Sequence, residues 1–291
     1  MHFLQGLMRA VSARLPSASL STHTLDALLQ LELAREVTRL QSEIRETMPD
    51  NPAVRGFKVY SQADEDGILE HICDRLQLKG GSFIEIGCGD GRENNTHYLL
   101  LKGWRGVWVD GDAASIASIR AALPEVERLR TVQKIVTREN VASIAVGADA
   151  NLTEGLDLLS VDIDGNDLAI ARVATTIWTP KIVVCEYNAK FPYPILAEVA
   201  YDPEHRWSGD DYHGASLAAC VRALQSQYRH ICCNLAGTNA FFVRLDMASQ
   251  FESYPPERLY QPARFYLTAL RSGHTASLSF LRNALAQDLN A

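Results

Sequence analysis

Short apolar runs alternate with segments of helical periodicity over most of the chain. Because parallel strands are joined by crossover helices, this alternation predicts an α/β fold. Two last apolar runs separated by a short turn predict a terminal hairpin. The pattern predicts a doubly wound sheet of seven strands, mostly parallel, with an antiparallel last strand. The predicted strands are 82–86, 106–110, 131–136, 156–162, 181–187, 229–234 and 239–244, and the predicted helices are 64–78, 95–103, 113–123, 166–174 and 214–228.

Both ends of the chain carry helical patterns outside this alternation. Between residues 24 and 48, apolar residues recur every three or four positions, and this stripe would pack on the main domain or on a second copy of the chain, giving a homo-oligomer. We therefore predict an N-terminal helical extension (1–50), a central domain (51–248) and a C-terminal helical extension (249–291). The first 25 residues hold apolar and basic residues but no acid, and a docking helix, a loose terminus and a targeting or membrane-surface segment all stay open.

Composition and charge narrow the classes of function. The chain has 291 residues, of which 47% are hydrophobic and 22% are charged, and its net charge is −7. A net negative charge disfavours nucleic acid as the main partner. No apolar run reaches the roughly 20 residues that a transmembrane helix needs. The six cysteines form no CxxC pair, which predicts reduced thiols and a cytoplasmic protein.

The first predicted strand runs into a glycine-rich turn. Its sequence FIEIGCGDG (83–91) places Gly87, Gly89 and Gly91 as GxGxG behind the acid Glu85. Glycines let the backbone turn tightly and approach a ligand closely. A dinucleotide site would instead carry GxGxxG and hold a pyrophosphate at a helix N-terminus. Acidic residues at this turn would repel a pyrophosphate, so the turn favours a ligand that carries positive charge.

This acid-x-Gly-x-Gly-x-Gly pattern resembles motif I of the class I S-adenosylmethionine (SAM)-dependent methyltransferases. The resemblance implies a Rossmann-like fold and SAM as the cofactor, and it continues at the second strand, where such enzymes place an acid for the ribose hydroxyls. At the third strand it departs from the family, because only Thr137 and Glu139 stand where an acid would bind adenine. On this resemblance, the cofactor-binding residues are Ser61, Gln62, Glu85, Gly87, Gly89, Asn94, Asp110 and Asp162.

Two further segments resemble the FkbM-like branch of this family. YSQADEDGIL (60–69) is similar to its Ser-Gln-x-x-Glu-Asp segment, and LLSVDIDGND (158–167) is similar to its fourth-strand motif. The resemblance spans about residues 57–245 and implies O-methylation of a sugar, polyketide or related metabolite. The expected partner is therefore a small-molecule or glycan hydroxyl acceptor. Ser61 and Gln62 have a second interpretation, because such residues ahead of a helix also cap it.

Carboxylates follow the fourth and fifth predicted strands. Asp162 and Asp164 are two positions apart, as are Glu186 and Asn188, so each pair would share one face of an extended chain. Neighbouring strands would then bring Asp164, Glu186 and Asn188 together as oxygen ligands for Mg²⁺. The alternative is a carboxylate cluster that hydrogen-bonds cofactor and substrate without a metal. Asp167 is expected at the N-terminus of the next helix, where the helix dipole favours an acid.

An alcohol is a poor nucleophile at neutral pH, so methyl transfer to oxygen would require a general base or a metal. The predicted catalytic residues are Asp164, Glu186 and His213. His213 lies in a long stretch of little regular pattern that begins at Asn188, and a loop of that length is unusual unless it is functional. Its aromatic residues are expected either to form a substrate wall or to pack the loop on the domain. They are Phe191, Tyr193, Tyr201, Trp207 and Tyr212.

Two rival classes of function stay open at the level of sequence. A nicotinamide-dependent oxidoreductase would use a similar sheet, although the glycine spacing and the acidic turn oppose it. A non-catalytic, cofactor-binding scaffold would use its N-terminal helices to recruit partners.

Overall fold

The structure, a computed structural model, describes residues 21–124, 126–145 and 155–286. Seven strands form one sheet in these residues. They are β1 (Ser82–Ile86), β2 (Arg105–Asp110), β3 (Leu129–Gln133), β4 (Leu158–Val161), β5 (Ile182–Glu186), β6 (Tyr228–Cys233) and β7 (Asn239–Arg244). Their order across the sheet is β3-β2-β1-β4-β5-β7-β6.

The pairing of the strands gives the sheet its direction. β1 pairs in parallel with β2 and β4, and the parallel set extends to β3 and β5. β7 runs antiparallel between β5 and β6. This confirms the predicted fold class, a doubly wound, mostly parallel seven-stranded sheet whose last strand is antiparallel. Ile86 pairs with Val109 on one side and with Val161 on the other, so the carboxyl ends of three central strands lie level.

Helices cover both faces of the sheet. β1, β4 and β5 consist mainly of apolar residues and are buried almost throughout, which is the pattern of strands covered on both faces. The helices are α1 (Thr22–Thr47), α2 (Glu65–Arg75), α3 (His97–Leu101), α4 (Ala113–Ala122), α5 (Asp167–Trp178), α6 (Leu217–Leu224), α7 (Pro256–Leu259) and α8 (Leu278–Ala286). Short 3-10 turns lie at Pro52–Arg55, Val141–Ala145, Ala248–Gln250 and Phe265–Ala269.

Two predicted elements have different bounds in the structure. The third strand was expected at 131–136, but pairing with β2 ends at Gln133, and the chain after it turns into a loop. The helix expected at 214–228 begins only after Ser216, whose side chain accepts a hydrogen bond from the backbone of Ala219. The ends of both segments are therefore used in loops and caps.

The first and the last described helices share an apolar cluster with the sheet. Leu33, Leu40 and Ile44 of α1 are buried in one apolar cluster with residues of the sheet, and Leu278 and Leu281 of α8 join the same cluster. The stripe on α1 therefore covers the main domain at these positions, while the domain boundaries at residues 50 and 248 stay a prediction. None of the described helices is both long and apolar enough to span a membrane.

Candidate active site

A cleft of about 640 Å³ opens at the carboxyl ends of β1, β2 and β4. Ligands of open α/β sheets bind at this edge, and the volume is that of a small-molecule site. The side that we call the glycine side is lined by Gly87, Gly89, Asp110, Asp112 and residues 134–136. The opposite side, the carboxyl side, is lined by Asp162, Asp164, Asn166 and residues of the segment 203–207.

The turn after β1 requires glycine for two different reasons. Gly87 has a φ of +93°, and a Cβ there would lie 1.6 Å from the carbonyl oxygen of Asp162. Gly89 has a φ of +54°, and nothing lies within 4 Å of a Cβ at that position. Gly87 therefore permits the close approach of the β1 and β4 ends, whereas Gly89 leaves open space for a ligand.

Asp110 ends β2 and faces the glycine turn. Its Oδ2 accepts a hydrogen bond from the backbone N–H of Gly89 at 2.8 Å, and its Oδ1 accepts one from Asp112 at 2.7 Å. Asp112 in turn caps α4 by accepting from two backbone N–H groups. Since Asp110 is half-buried, backbone amides hold the carboxylate in place while part of it stays open to the cleft.

Glu85 and Asn94 lie behind the turn, which corrects the expectation that they contact a cofactor. Glu85 is 3% exposed, and its carboxylate accepts from the side chain of Asn94 and from the backbone N–H groups of Asn95 and Thr96. Burial raises the pKa of Glu85 to about 7, although these hydrogen bonds oppose the shift. Glu85 therefore holds the loop beneath the site and is not part of the cleft lining.

Ser61 and Gln62 also lie outside the cleft lining. The hydroxyl of Ser61 is fully buried and accepts from the backbone N–H of Asp66 at 3.2 Å, so it caps α2. The carboxylate of Asp66 accepts in return from the N–H groups of Val59, Tyr60 and Ser61. Gln62 is exposed. The structure therefore favours the capping interpretation of this segment over cofactor binding.

Three carboxyl groups meet at the base of the carboxyl side. Oxygens of Asp162, Asp167 and Glu186 all lie within 4.8 Å of one another. Burial raises the pKa of Asp162 and of Glu186 well above the usual range, and the neighbouring carboxylates add to both shifts. Burial also raises the pKa of Asp167 to about 6. Like charges this close cannot all be ionised at little cost, so the group retains protons near neutral pH.

Asp167 was expected at a helix N-terminus and is indeed the first residue of α5. Its carboxylate is also fully buried and accepts from the backbone N–H groups of Ile163 and Gly165 at 2.6 and 2.8 Å. This makes Asp167 both the cap of the β4–α5 turn and a member of the carboxyl cluster. The sequence signal for the second role was the spacing DIDGND itself.

The predicted metal-ligand set of Asp164, Glu186 and Asn188 does not fit the structure. Asp164 has a φ of +56°, so it leaves the extended course that would place it beside Asp162. The Nδ2 of Asn188 donates to the carbonyl oxygens of Asp211 and His213, and its Oδ1 accepts from the N–H of Lys190. Asn188 therefore anchors the following loop, and no magnesium site is derived from these residues.

His213 is half-buried beside the cleft, with its ring centroid 5.6 Å from that of Trp207. Burial lowers the pKa of His213, while the nearby carboxylate of Asp164 opposes the shift. The imidazole is therefore neutral at pH 7 and able to accept a proton. Trp207 lines the cleft and is 48% exposed, as expected for one residue of an aromatic wall.

The other aromatic residues of the loop are placed differently. The hydroxyl of Tyr201 accepts from the backbone of Arg138 and donates to Glu139, and the Arg138 guanidinium lies over the Tyr201 ring at 3.9 Å. Glu139 is therefore engaged with the loop. The hydroxyl of Tyr212 accepts from Ala200. These contacts favour packing of the loop for both tyrosines.

Three cleft residues of one segment were missed from the sequence. We call residues 203–210 the flap; its Pro203, His205 and Arg206 line the cleft beside Trp207, which was expected there. The His205 ring packs so tightly on Gly165 that a Cβ at Gly165 would lie 2.2 Å from its Cδ2. Asn166 donates to the carbonyl oxygen of Asp202 at 2.8 Å and ties the start of the flap to the β4–α5 turn. Only the length of the irregular stretch signalled this role.

No protein-family model and no curated protein matches the chain. The chain is similar in structure to an O-methyltransferase from Bacillus cereus in complex with SAH, at 13% identity, 83% and 89% coverage of the two chains and a TM-score of 0.34. An S-adenosylmethionine-dependent methyltransferase from Clostridium acetobutylicum is 11% identical, with 70% of this chain and 97% of that chain covered and a TM-score of 0.38. A glycopeptide N-methyltransferase, MtfA, complexed with sinefungin is 17% identical, with 62% of this chain and 87% of that chain covered and a TM-score of 0.38. These likenesses are too weak to transfer an activity or a substrate to this chain.

Proposed function

We propose that this chain is a SAM-dependent methyltransferase of FkbM-like type that methylates a hydroxyl of a sugar, polyketide or related metabolite. One observation carries the proposal: the glycine turn, Asp110 and the carboxylates after β4 line a single cleft at the carboxyl edge of the sheet. A positively charged ligand suits such walls, whereas the pyrophosphate of a dinucleotide would face several carboxylates, and the N-terminus of α4 at the cleft is already capped by Asp112.

The residues on the glycine side fit the proposed cofactor. Asp110 presents a carboxylate held by two backbone amides, which suits a pair of ribose hydroxyls as donors. Gly89 leaves open space above the turn. When bound, SAM supplies an activated methyl group for in-line transfer. The chain would hold it through Gly87, Gly89 and Asp110, with Asp162 closing the side toward β4.

The residues on the carboxyl side would handle the acceptor. Alignment of a nucleophile contributes roughly 7 to 11 kcal/mol to such reactions, and the flap and Asp164 bound the space in which that alignment takes place. His213 is neutral at pH 7 and stands near Asp164, so it is the base that we favour among the three predicted catalytic residues. Oxygens of Glu186 and Asp162 lie within 4.8 Å of each other, so Glu186 would form part of the floor of this side.

The test is calorimetric titration of the full chain with SAM, with S-adenosylhomocysteine and with NADH. We expect micromolar binding of the first two and none of NADH. The Asp110→Asn variant keeps the size of the side chain but exchanges one acceptor for a donor, and we expect it to weaken binding by at least about tenfold. The Glu204→Gln variant changes an exposed flap residue outside the cleft lining and should bind as the native chain does. Binding of NADH alone would overturn the proposal in favour of an oxidoreductase.

A further inference from the structure

Two buried oxygen atoms near the carboxyl side lack any hydrogen-bond donor. They are Oε2 of Glu186 and Oδ1 of Asn239. Asn239 is only 2% exposed and stands directly opposite Glu186 in the β5–β7 register, where facing side chains are about 5 Å apart. The amide nitrogen of Asn239 donates to Glu65, so its oxygen is the atom turned to other contacts. Buried acceptors without donors are unfavourable, and two of them side by side indicate a missing donor.

No described lysine or arginine supplies the missing donor through an ion pair. Asp162, Asp164, Asp167 and Glu186 form no ion pair with any described lysine or arginine. Arg206 and Lys134 line the cleft, but Arg206 donates to the carbonyl oxygen of His205 and Lys134 donates to the hydroxyl of Ser143. The acidic groups of the carboxyl side therefore share this side with the cation Arg206 but form no ion pair with it.

Trp207 adds a second cation-binding element. Its ring lines the cleft and is 48% exposed, and its Nε1–H already donates to the carbonyl oxygen of Asp210. A ligand would therefore contact the faces of the indole ring, because its N–H group is already engaged. The face of an indole attracts ammonium groups. Carboxylates and an aromatic face on one side of a cleft form a typical site for an organic ammonium ion.

We infer that the acceptor substrate of this cleft carries a protonated amino group, held between Trp207 and the carboxylates of Asp164 and Glu186, with Asp162 between this group and the cofactor. This rests on the proposed function only in naming the ligand an acceptor. A hydroxyl-bearing amine, such as an amino sugar or an amino alcohol, combines this group with a site for methylation. A divalent cation is the alternative ligand for the clustered oxygens of Asp162, Asp167 and Glu186, but an ammonium ion would use the face of the Trp207 ring as well as the carboxylates.

The test compares matched pairs of small ligands that differ in one amino group. The dissociation constants of 2-amino-1,3-propanediol and glycerol, and of glucosamine and glucose, are measured by ligand-observed NMR on the full chain with S-adenosylhomocysteine present and absent. We expect each amine to bind at least about tenfold more tightly than its neutral partner, since hydrogen bonds to charged groups are the stronger ones. Equal affinity within both pairs would overturn the inference.

Variants separate a specific site from general attraction. Glu186→Gln and Trp207→Leu should each lower the amine preference severalfold, and because Trp207 is exposed, its variant should fold even if the other does not. Glu204→Gln removes a flap charge outside the cleft lining and should keep the preference.

Magnesium chloride is titrated as well: if Mg²⁺ displaces the amine and the binding of Mg²⁺ is lost in Glu186→Gln, the site belongs to a metal and the inference is wrong. Binding of S-adenosylhomocysteine without amine preference would defeat this inference alone, whereas amine preference without such binding would defeat the proposed function alone.

Discussion

The two sides of the cleft treat their carboxyl groups in opposite ways. On the glycine side, Asp110 accepts two backbone hydrogen bonds and Glu85 behind it accepts several from one loop. On the carboxyl side, Asp162 and Glu186 are crowded by each other, and one oxygen of Glu186 has no donor. Both sets lie at or near the carboxyl ends of strands of the same sheet, so the difference lies in what the surrounding backbone offers them.

This difference concerns the carboxyl groups alone, because the amide oxygen of Asn94 behind the glycine turn also lacks a donor. Buried polar groups that are satisfied stabilise the fold, whereas unsatisfied ones lower stability and persist where function requires them. The glycine side is preorganised by its own loop. The carboxyl side holds groups whose hydrogen bonds and counter-charge must come from elsewhere, which is the arrangement expected of a substrate side.

The largest expected effect tests the junction between the sides. In Gly87→Ala, the new Cβ would overlap the carbonyl oxygen of Asp162, and the residue would keep a positive φ. Strain of about 1–3 kcal/mol adds to overpacking of similar size, so we expect the free energy of unfolding to fall by about 3–5 kcal/mol in urea denaturation.

Gly89→Ala is the matched control, because its φ is also positive but its Cβ would meet open space. It should lose only about 1 kcal/mol of stability while weakening ligand binding. Equal losses in the two variants would show that the approach of β1 to β4 is not what requires Gly87.

The second expectation concerns two isosteric changes in buried acids at strand ends. Glu85→Gln turns an amide group toward donors that now face a carboxylate, and we expect a loss of about 2–3 kcal/mol in the free energy of unfolding. Glu186→Gln removes a crowded carboxyl whose Oε2 has no donor, so it should be nearly neutral. A large loss in the second variant would contradict the contrast between the two sides.

The pH dependence expected for Glu85→Gln follows from the direction in which the pKa of Glu85 is shifted. The pKa of Glu85 is raised from 4.5 to about 7 in the folded chain, so its contribution is full below pH 4.5 and is lost as the pH rises to about 7. His97 acts in the opposite direction, since burial lowers its pKa to about 4. The contribution of His97 is the same in the native chain and in Glu85→Gln, so it cancels in the difference between their free energies of unfolding. This difference should shrink by an amount on the order of 3 kcal/mol between pH 4.5 and 8. A difference that does not change with pH would refute the raised pKa.

Much of this contrast could be anticipated from sequence, but only on the glycine side. The strands of the sheet could be predicted because apolar periodicity is a local property of the sequence. The turn after β1 could be predicted because GxGxG after a strand is also a local signal. The carboxyl side depends on long-range contacts. Asn239 meets Glu186 only through antiparallel pairing of β7, and Asn188 is diverted to loop carbonyls that no spacing reveals. Extended geometry was assumed through Asp164, whose positive φ breaks it.

A smaller effect is expected at the base of the flap. Asn166→Ala removes the hydrogen bond to the carbonyl oxygen of Asp202 and the weaker one from its N–H, which should lower the local stability of the flap by about 1–2 kcal/mol. Hydrogen–deuterium exchange over residues 203–210 is the measurement, and faster exchange there is the expected result.

Asn140→Ala is the matched control for this change. Asn140 makes the same kind of paired backbone contacts, to Thr137 and Ile135, but on the glycine side. Its loss should speed exchange in the loop after β3 and leave the flap unchanged. If both variants perturb both loops equally, the two sides are mechanically one unit and the contrast fails.

The smallest expected effect lies where the two sides touch. Tyr201 joins the loop that precedes the flap to the loop after β3, through its hydroxyl to Arg138 and Glu139 and through its ring under the Arg138 guanidinium. Tyr201→Phe removes the hydroxyl and keeps the ring, so we expect a loss below about 1 kcal/mol. A double-mutant cycle of Tyr201→Phe with Glu139→Gln measures the hydrogen bond between them. A coupling near zero would mean that stacking alone connects the sides, whereas a coupling of about 0.5 kcal/mol or more would show that the hydroxyl transmits the position of one loop to the other.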